Sequence, residues 1–108
     1  LAAPDEGDST AVKRATGVPL SIAEVSLEVL ERGETVSEAA SPAVLPDVGV
    51  GVCLAQSAVR ASLFTVRANL SHVDDDSFVD DARERAANVE DGVESVFRRV
   101  AADLGMER

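Results

Sequence analysis

From Ala82 to Val100 the apolar residues Ala82, Ala86, Val89, Val93, Val96 and Val100 step by four and three in alternation, and Leu104 follows four residues later. That spacing returns to one side of a helix every two turns and defines a narrow packing seam. Several of these side chains are small, so the helix carrying them must lie close to its neighbours. Asp74-Asp75-Asp76-Ser77 supplies the N-cap at which it starts, and Asp80 and Asp81 add negative charge in the first turn, where the helix dipole favours it.

Upstream, Ser41-Pro42 and Leu45-Pro46 bracket a stiff turn, and Asp47 falls in the first turn of a second long helix reaching about Ser71. Val48-Gly49-Val50-Gly51-Val52 alternates with period two and, alone, reads as a strand. The remainder has no such alternation: Leu54, Ala55, Ala58, Ser62, Val66 and Leu70 form one stripe flanked by Val59 and Leu63, and the whole segment is expected to be helical. Each glycine there costs about 1 kcal/mol relative to alanine, so a neighbouring helix or a ligand is expected to approach closely.

Ser9 and Thr10 can cap a short first helix that Gly17-Val18-Pro19 should break or kink, since proline lacks an N–H and disfavours helical geometry before it. Ser21-Ile22-Ala23-Glu24 has the spacing of a capping box, and Ile22, Val25, Val29 and Val36 continue a helical stripe to about Ala40, with Gly33 a weak point. Residues Leu1 to Asp8 read as a frayed end or linker. There is no internal repeat. The expected architecture is all-α, an up-and-down bundle of about three main helices whose one-sided stripes belong in a larger bundle.

The 108 residues fit one domain with a modest core, which makes association with another copy or segment a live expectation. Twenty Asp and Glu oppose ten basic residues, of which only Lys13 is a lysine, giving a formal charge of −10. Such a surface repels phosphate backbones and anionic membranes, and without tyrosine or tryptophan most base-stacking surfaces are missing, so neither nucleic acid nor membrane is an expected partner. Carboxylates with Ala and Val in abundance and a single lysine suggest adaptation to molar salt, as in a halophile, where screening removes most self-repulsion. The lone Cys53, with no signal-peptide pattern and no apolar run long enough to span a bilayer, points to the cytoplasm. Leu1 in place of an initiator methionine suggests a piece of something longer.

Asp74 to Asp76 could attract a hard cation but lack the ligand spacing and glycine of a calcium loop; capping is the better reading. His72 is the one histidine, so no His-based metal cluster or Ser-His-Asp arrangement can form within the chain; a helix-terminal role suits it. Cys53, among small apolar residues, reads as inert packing. Asp47, just after a proline-containing turn, is held in place and could orient an amidine-like or pterin-like group, although first-turn aspartate is ordinary helix grammar. Arg60 and Asn69 are further binding candidates, against the plainer reading that polar residues on a helix face water.

With Asp47 in view, other stretches fall into a known order. Ala15-Thr16-Gly17-Val18-Pro19-Leu20 with Ile22-Ala23-Glu24, then Ser41-Pro42-Ala43 leading to Asp47, Val48-Gly49-Val50, Leu54-Ala55 with Ala58, Val66-Arg67-Ala68-Asn69-Leu70, and Asp75 before Phe78-Val79 resemble the folate-dependent formiminotransferase-cyclodeaminase / methenyltetrahydrofolate cyclohydrolase family. The similarity covers roughly residues 15–104, so that residues 9–108 read as the C-terminal helical part of a cyclodeaminase/cyclohydrolase domain. It implies a dimeric all-α bundle acting on a one-carbon group carried by tetrahydrofolate, with a folate derivative as substrate and no metal. Cyclohydrolases add water to 5,10-methenyltetrahydrofolate to give the 10-formyl form; cyclodeaminases close 5-formiminotetrahydrofolate with loss of ammonia. Asp47 matches the family's aspartate and is the catalytic candidate, with Asn69 as a hydrogen-bonding neighbour.

The chain departs from the family's pattern at Ala40-Ser41, usually Gly-Asn, and at Pro46, usually serine. The family's N-terminal half, with a glycine- and alanine-rich helix lining the folate pocket, does not occur in these residues. The expected partner is therefore a second copy or that half. The competing reading is a helical oligomerisation module that associates with itself and is indifferent to folates.

Overall fold

The computed structural model describes residues 9–105. Three helices follow one another: α1 (Ser9–Ala39), α2 (Leu45–Leu70) and α3 (Asp76–Asp103). The protein is all-α, an up-down-up bundle 55 Å long and about 22 Å across. The expected linker, Leu1 to Asp8, lies outside the described residues.

α3 matches expectation closely. The Asp75 side chain accepts from the Phe78 N–H at 3.1 Å and caps the helix. Asp76 occupies the first turn, so Asp80 and Asp81 fall one turn later than expected. Ala82, Ala86, Val89, Val93, Val96 and Val100 are all buried, and Leu104 packs at their end.

α1 does not break. It runs 31 residues with Pro19 inside it, and Ser9, Thr10 and Ser21 lie within the helix instead of starting one. Proline at 19 removes the N–H that would bond the Ala15 carbonyl and leaves that oxygen without its helical donor. Asn69 of α2 replaces it, donating Nδ2–H to the Ala15 oxygen at 3.0 Å. The missing helical bond is thus made good from the next helix.

The faces of α1 also differ from expectation. Leu20, Ala23 and Leu30 enter the core with Thr16 and Ser37, whereas Val18, Ile22, Val25, Val29 and Val36 stand outside. The stripe read from the sequence is real, but it is the outer one. Thr16 and Ser37 meet the bundle with their hydroxyls satisfied by the Val12 and Glu34 carbonyls.

Val48 to Val52 is helical, and α2 begins at Leu45 with Pro46 in its first turn, where a missing N–H costs nothing. The buried residues are Val52, Ala55, Val59, Leu63, Val66 and Leu70; Leu54 and Ala58 face outward and Ser62 is half-buried, so the packing face is rotated from the expected stripe. Close approach occurs at Gly33 instead of Gly51: a Cβ on Gly33 would lie 3.1 Å from Val52 Cγ2, while one on Gly51 would meet nothing within 4 Å. The expected lack of a bilayer-length apolar run is corrected too. By length and composition α2 is long and apolar enough to cross a membrane, because Val, Leu, Ala and Gly occur on its outer side as well as its packed side.

Candidate functional site

Asp47 stands exposed in the first turn of α2, carried by the Pro42–Pro46 turn, whose backbone closes through Val44 N–H to Ser41 O and Asp47 N–H to Val44 O, both 3.0 Å. Beside it an open groove of about 660 Å³ is lined by Pro42, Leu45, Pro46, Val50, Leu54 and Leu104. Cys53 and Gly49 also line it, the thiol half-buried. The groove is apolar, and Asp47 is the carboxylate nearest in sequence to its rim. Asp47 does not itself line the groove but follows Pro46, which does; an apolar groove of this kind can receive a flat, largely apolar ring.

Arg60 lies on another side of α2, in a groove of about 530 Å³ between α2 and α3 with Gln56, Glu90, Glu94, Phe97 and Arg98. Glu90 is held below its ordinary carboxylate range mainly by its two hydrogen bonds from Arg67 and also by the charge of Arg60. Asn69, half-buried near the C-terminal end of α2, donates to the Ala15 carbonyl. Oδ1 remains available to a ligand, but the amide's first role is in the fold.

Helix geometry separates these candidates. At 1.5 Å per residue, Arg60 lies about 20 Å from Asp47 along α2, and Asn69 about 33 Å. Within one chain, Asp47 and Asn69 cannot touch the same small molecule. His72 is exposed in the turn after α2.

A second set of polar contacts was not legible beforehand. Lys13 Nζ sits 2.7 Å from Asp75 Oδ2 and 5.6 Å from the centroid of the Phe78 ring. Asp75 is held far below the usual carboxylate range, first by the Lys13 hydrogen bond, then by the Phe78 N–H and the Ser77 hydroxyl. Farther along, Arg85 pairs with Glu24 and Arg99 with Glu34. These pairs join α1 to α3 in parallel and span 61 to 65 positions. No local pattern could have signalled them. Asp75 is thus a cap and an ion-pair partner, and among the described residues no three His, Cys, Asp or Glu side chains converge as a metal site would require.

Two comparisons bear on this arrangement. The family model for formiminotransferase-cyclodeaminase matches residues 2–88, which takes in α1, α2 and the first half of α3. A protein of Methylorubrum extorquens described as methenyltetrahydrofolate cyclohydrolase is 36% identical over 80 residues, covering 74% of this chain and 37% of the relative. The chain therefore spans little more than a third of that relative's length.

Proposed function

The chain belongs to the formiminotransferase-cyclodeaminase family, and on that premise we propose that it forms part of a folate one-carbon enzyme whose reaction is hydrolysis of 5,10-methenyltetrahydrofolate to 10-formyltetrahydrofolate. The observation that carries this reading is the 36% identity to a protein described as a methenyltetrahydrofolate cyclohydrolase. Asp47, exposed beside an apolar groove, is the residue to which the chemistry falls.

The reaction needs little equipment. Water adds to the electron-poor carbon between the two folate nitrogens and loses a proton, for which a carboxylate at hydrogen-bond distance is a competent acceptor. The second hydroxyl proton then passes to N5 as the carbon–N5 bond breaks, leaving the formyl group on N10 with one proton released overall. In this proposal Asp47 orients the water and takes its proton, while Arg60 and Asn69 are substrate-binding groups. Because Asp47 and Asn69 stand about 33 Å apart along one helix, the complete site draws on further protein: another copy of the chain or the remainder of the domain found in longer relatives.

The family's other reaction, closure of 5-formiminotetrahydrofolate with loss of ammonia, is the second reading, favoured by the family's name. The carboxylate-rich, lysine-poor surface supports a working environment of high salt.

The test is the disappearance of methenyltetrahydrofolate absorbance in molar KCl above a protein-free blank, repeated with Asp47→Asn. Loss that requires Asp47 supports the cyclohydrolase. Turnover undiminished by Asp47→Asn removes this residue from the chemistry, and ammonia released from the formimino substrate identifies the second reaction.

A further inference from the structure

All but one of the residues lining the groove beside Asp47 come from the stretch Pro42 to Leu54; the exception is Leu104, at the end of α3. The local backbone of α2 fixes the others, whereas the place of Leu104 depends on how α3 ends and on what holds that end. Leu104 is half-buried and packs against the core. Asp103 and Leu104 both lie beyond residue 88, where the family model stops, so their role is read from the geometry of this chain.

Backbone and side chain both hold that end. Leu104 N–H donates to the carbonyl of fully buried Val100 at 2.9 Å. Gly105, at φ +70°, takes the left-handed conformation that stops the helix, and its N–H donates to the Ala102 carbonyl at 3.2 Å. A further contact comes from α1. Ser37 is 5% exposed, and its hydroxyl proton is shared between the Glu34 carbonyl at 2.8 Å and Asp103 Oδ2 at 3.2 Å. Glu34 alone would satisfy the serine; the contact with Asp103 is the part that crosses to another helix. Asp103 is otherwise poorly placed. It ends α3 where the helix dipole disfavours an acid, no basic residue occupies that turn, and among the described residues it joins no ion pair. Accepting from Ser37 is the favourable contact the structure gives it.

We propose that Leu104 is the wall against which the face of a flat, largely apolar ring packs in this groove, and that Ser37, through Asp103, positions it. The leucine offers such a face apolar area and no polar atom that water could serve. Ser37 is a positioning residue: it reaches no ligand and acts by keeping the last turn of α3 from fraying, the usual behaviour of helix ends. The tether matters there because a terminal turn opens more readily than the packed middle of a helix. Ring binding stands on this geometry; only the identity of the ring, as that of the folate substrate, rests on the proposed function.

The test is independent of activity. Cys53 lines the same groove and is the chain's one cysteine, so its reaction with the neutral disulfide dithiodipyridine in molar KCl reads the groove directly. Leu104→Ala should speed labelling about tenfold and Leu104→Phe should slow it, with helix content unchanged in both. Asp103→Ala should speed it about fivefold, the worth of one hydrogen bond. Asp103→Asn also loses the charge but keeps an acceptor oxygen for Ser37, and should label at the wild-type rate. Quinoxaline, a flat bicyclic ring, should protect Cys53 in the wild type, and about tenfold more of it should be needed with Leu104→Ala. Labelling sped alike by Leu104→Ala and Leu104→Phe would show general loosening in place of a wall, and equal rates for Asp103→Ala and Asp103→Asn would remove Ser37 from its role. Either outcome, or no protection by quinoxaline, overturns the proposal. Protection by quinoxaline but none by 5,10-methenyltetrahydrofolate upholds the wall and overturns the folate reading instead.

Discussion

Asn69 donates to the Ala15 carbonyl at 3.0 Å, the very oxygen that Pro19 deprives of its helical donor. A proline that should divide α1 is therefore accommodated by a side chain from α2, and the two positions form one device. Replacing Asn69 by Ala should cost about 1–2 kcal/mol, the range for a half-buried carbonyl losing its partner. In a Pro19→Ala background the backbone N–H of residue 19 serves that oxygen again, so the cost of Asn69→Ala should shrink by at least about 0.5 kcal/mol. A double-mutant cycle by urea unfolding measures this coupling, and strict additivity would show the two positions to be independent.

The Asp75 carboxylate makes a pH prediction. Its folded-state pKa lies below the unfolded value, first because Lys13 donates to it. Its contribution to stability is therefore fully present above about pH 4 and is lost as pH falls through the folded pKa. Glu34 and Glu90 are lowered in the same direction by Arg99 and Arg67. Asp75→Asn keeps an N-cap acceptor and removes the charge, so the acid unfolding curve below pH 4 should become shallower while the helix remains capped.

Two glycines in α1 should respond oppositely to alanine. A Cβ at Gly17 meets nothing within 4 Å, so Gly17→Ala should gain up to about 1 kcal/mol from helix propensity. At Gly33 the new atom would lie 3.1 Å from Cγ2 of Val52, a buried β-branched side chain with little freedom to move. Gly33→Ala should be neutral or destabilising by about 1 kcal/mol, despite the same gain in propensity. Thermal melts of both variants distinguish the sites.

Salt should stabilise the fold. With twenty carboxylates and a formal charge of −10, self-repulsion is strong in dilute buffer and screened in molar KCl. The Tm should rise between low and molar KCl, and a constant Tm would remove the salt-adapted reading.

The all-α architecture and the seam of α3 were legible because their spacing is local and Asp75 caps the helix from its own sequence neighbourhood. The continuity of α1 was not legible, because the donor that rescues the Ala15 carbonyl lies 54 positions away. Periodicity also showed an apolar stripe at Ile22, Val25, Val29 and Val36 without revealing that Leu20, Ala23 and Leu30 form the inner one. A helix with two apolar sides gives two valid answers to one pattern. At the site, Asp47 was found from its place after a rigid turn. Asp47 and Asn69 fall on one expected helix from the sequence alone, so their separation of about 33 Å was within reach of it, whereas the bond of Asn69 to the Ala15 carbonyl was not.

The parallel pairs of α1 with α3 also set an order of assembly. Lys13, Glu24 and Glu34 await partners made 61 to 65 residues later, whereas α1 and α2 form a hairpin as soon as both exist. During synthesis that hairpin exposes its inner and outer apolar sides together until α3 arrives, the interval in which unfinished chains are most open to misassociation. Slowing translation between Leu70 and Asp103 would lengthen that interval, and the yield of correctly folded chain would register it.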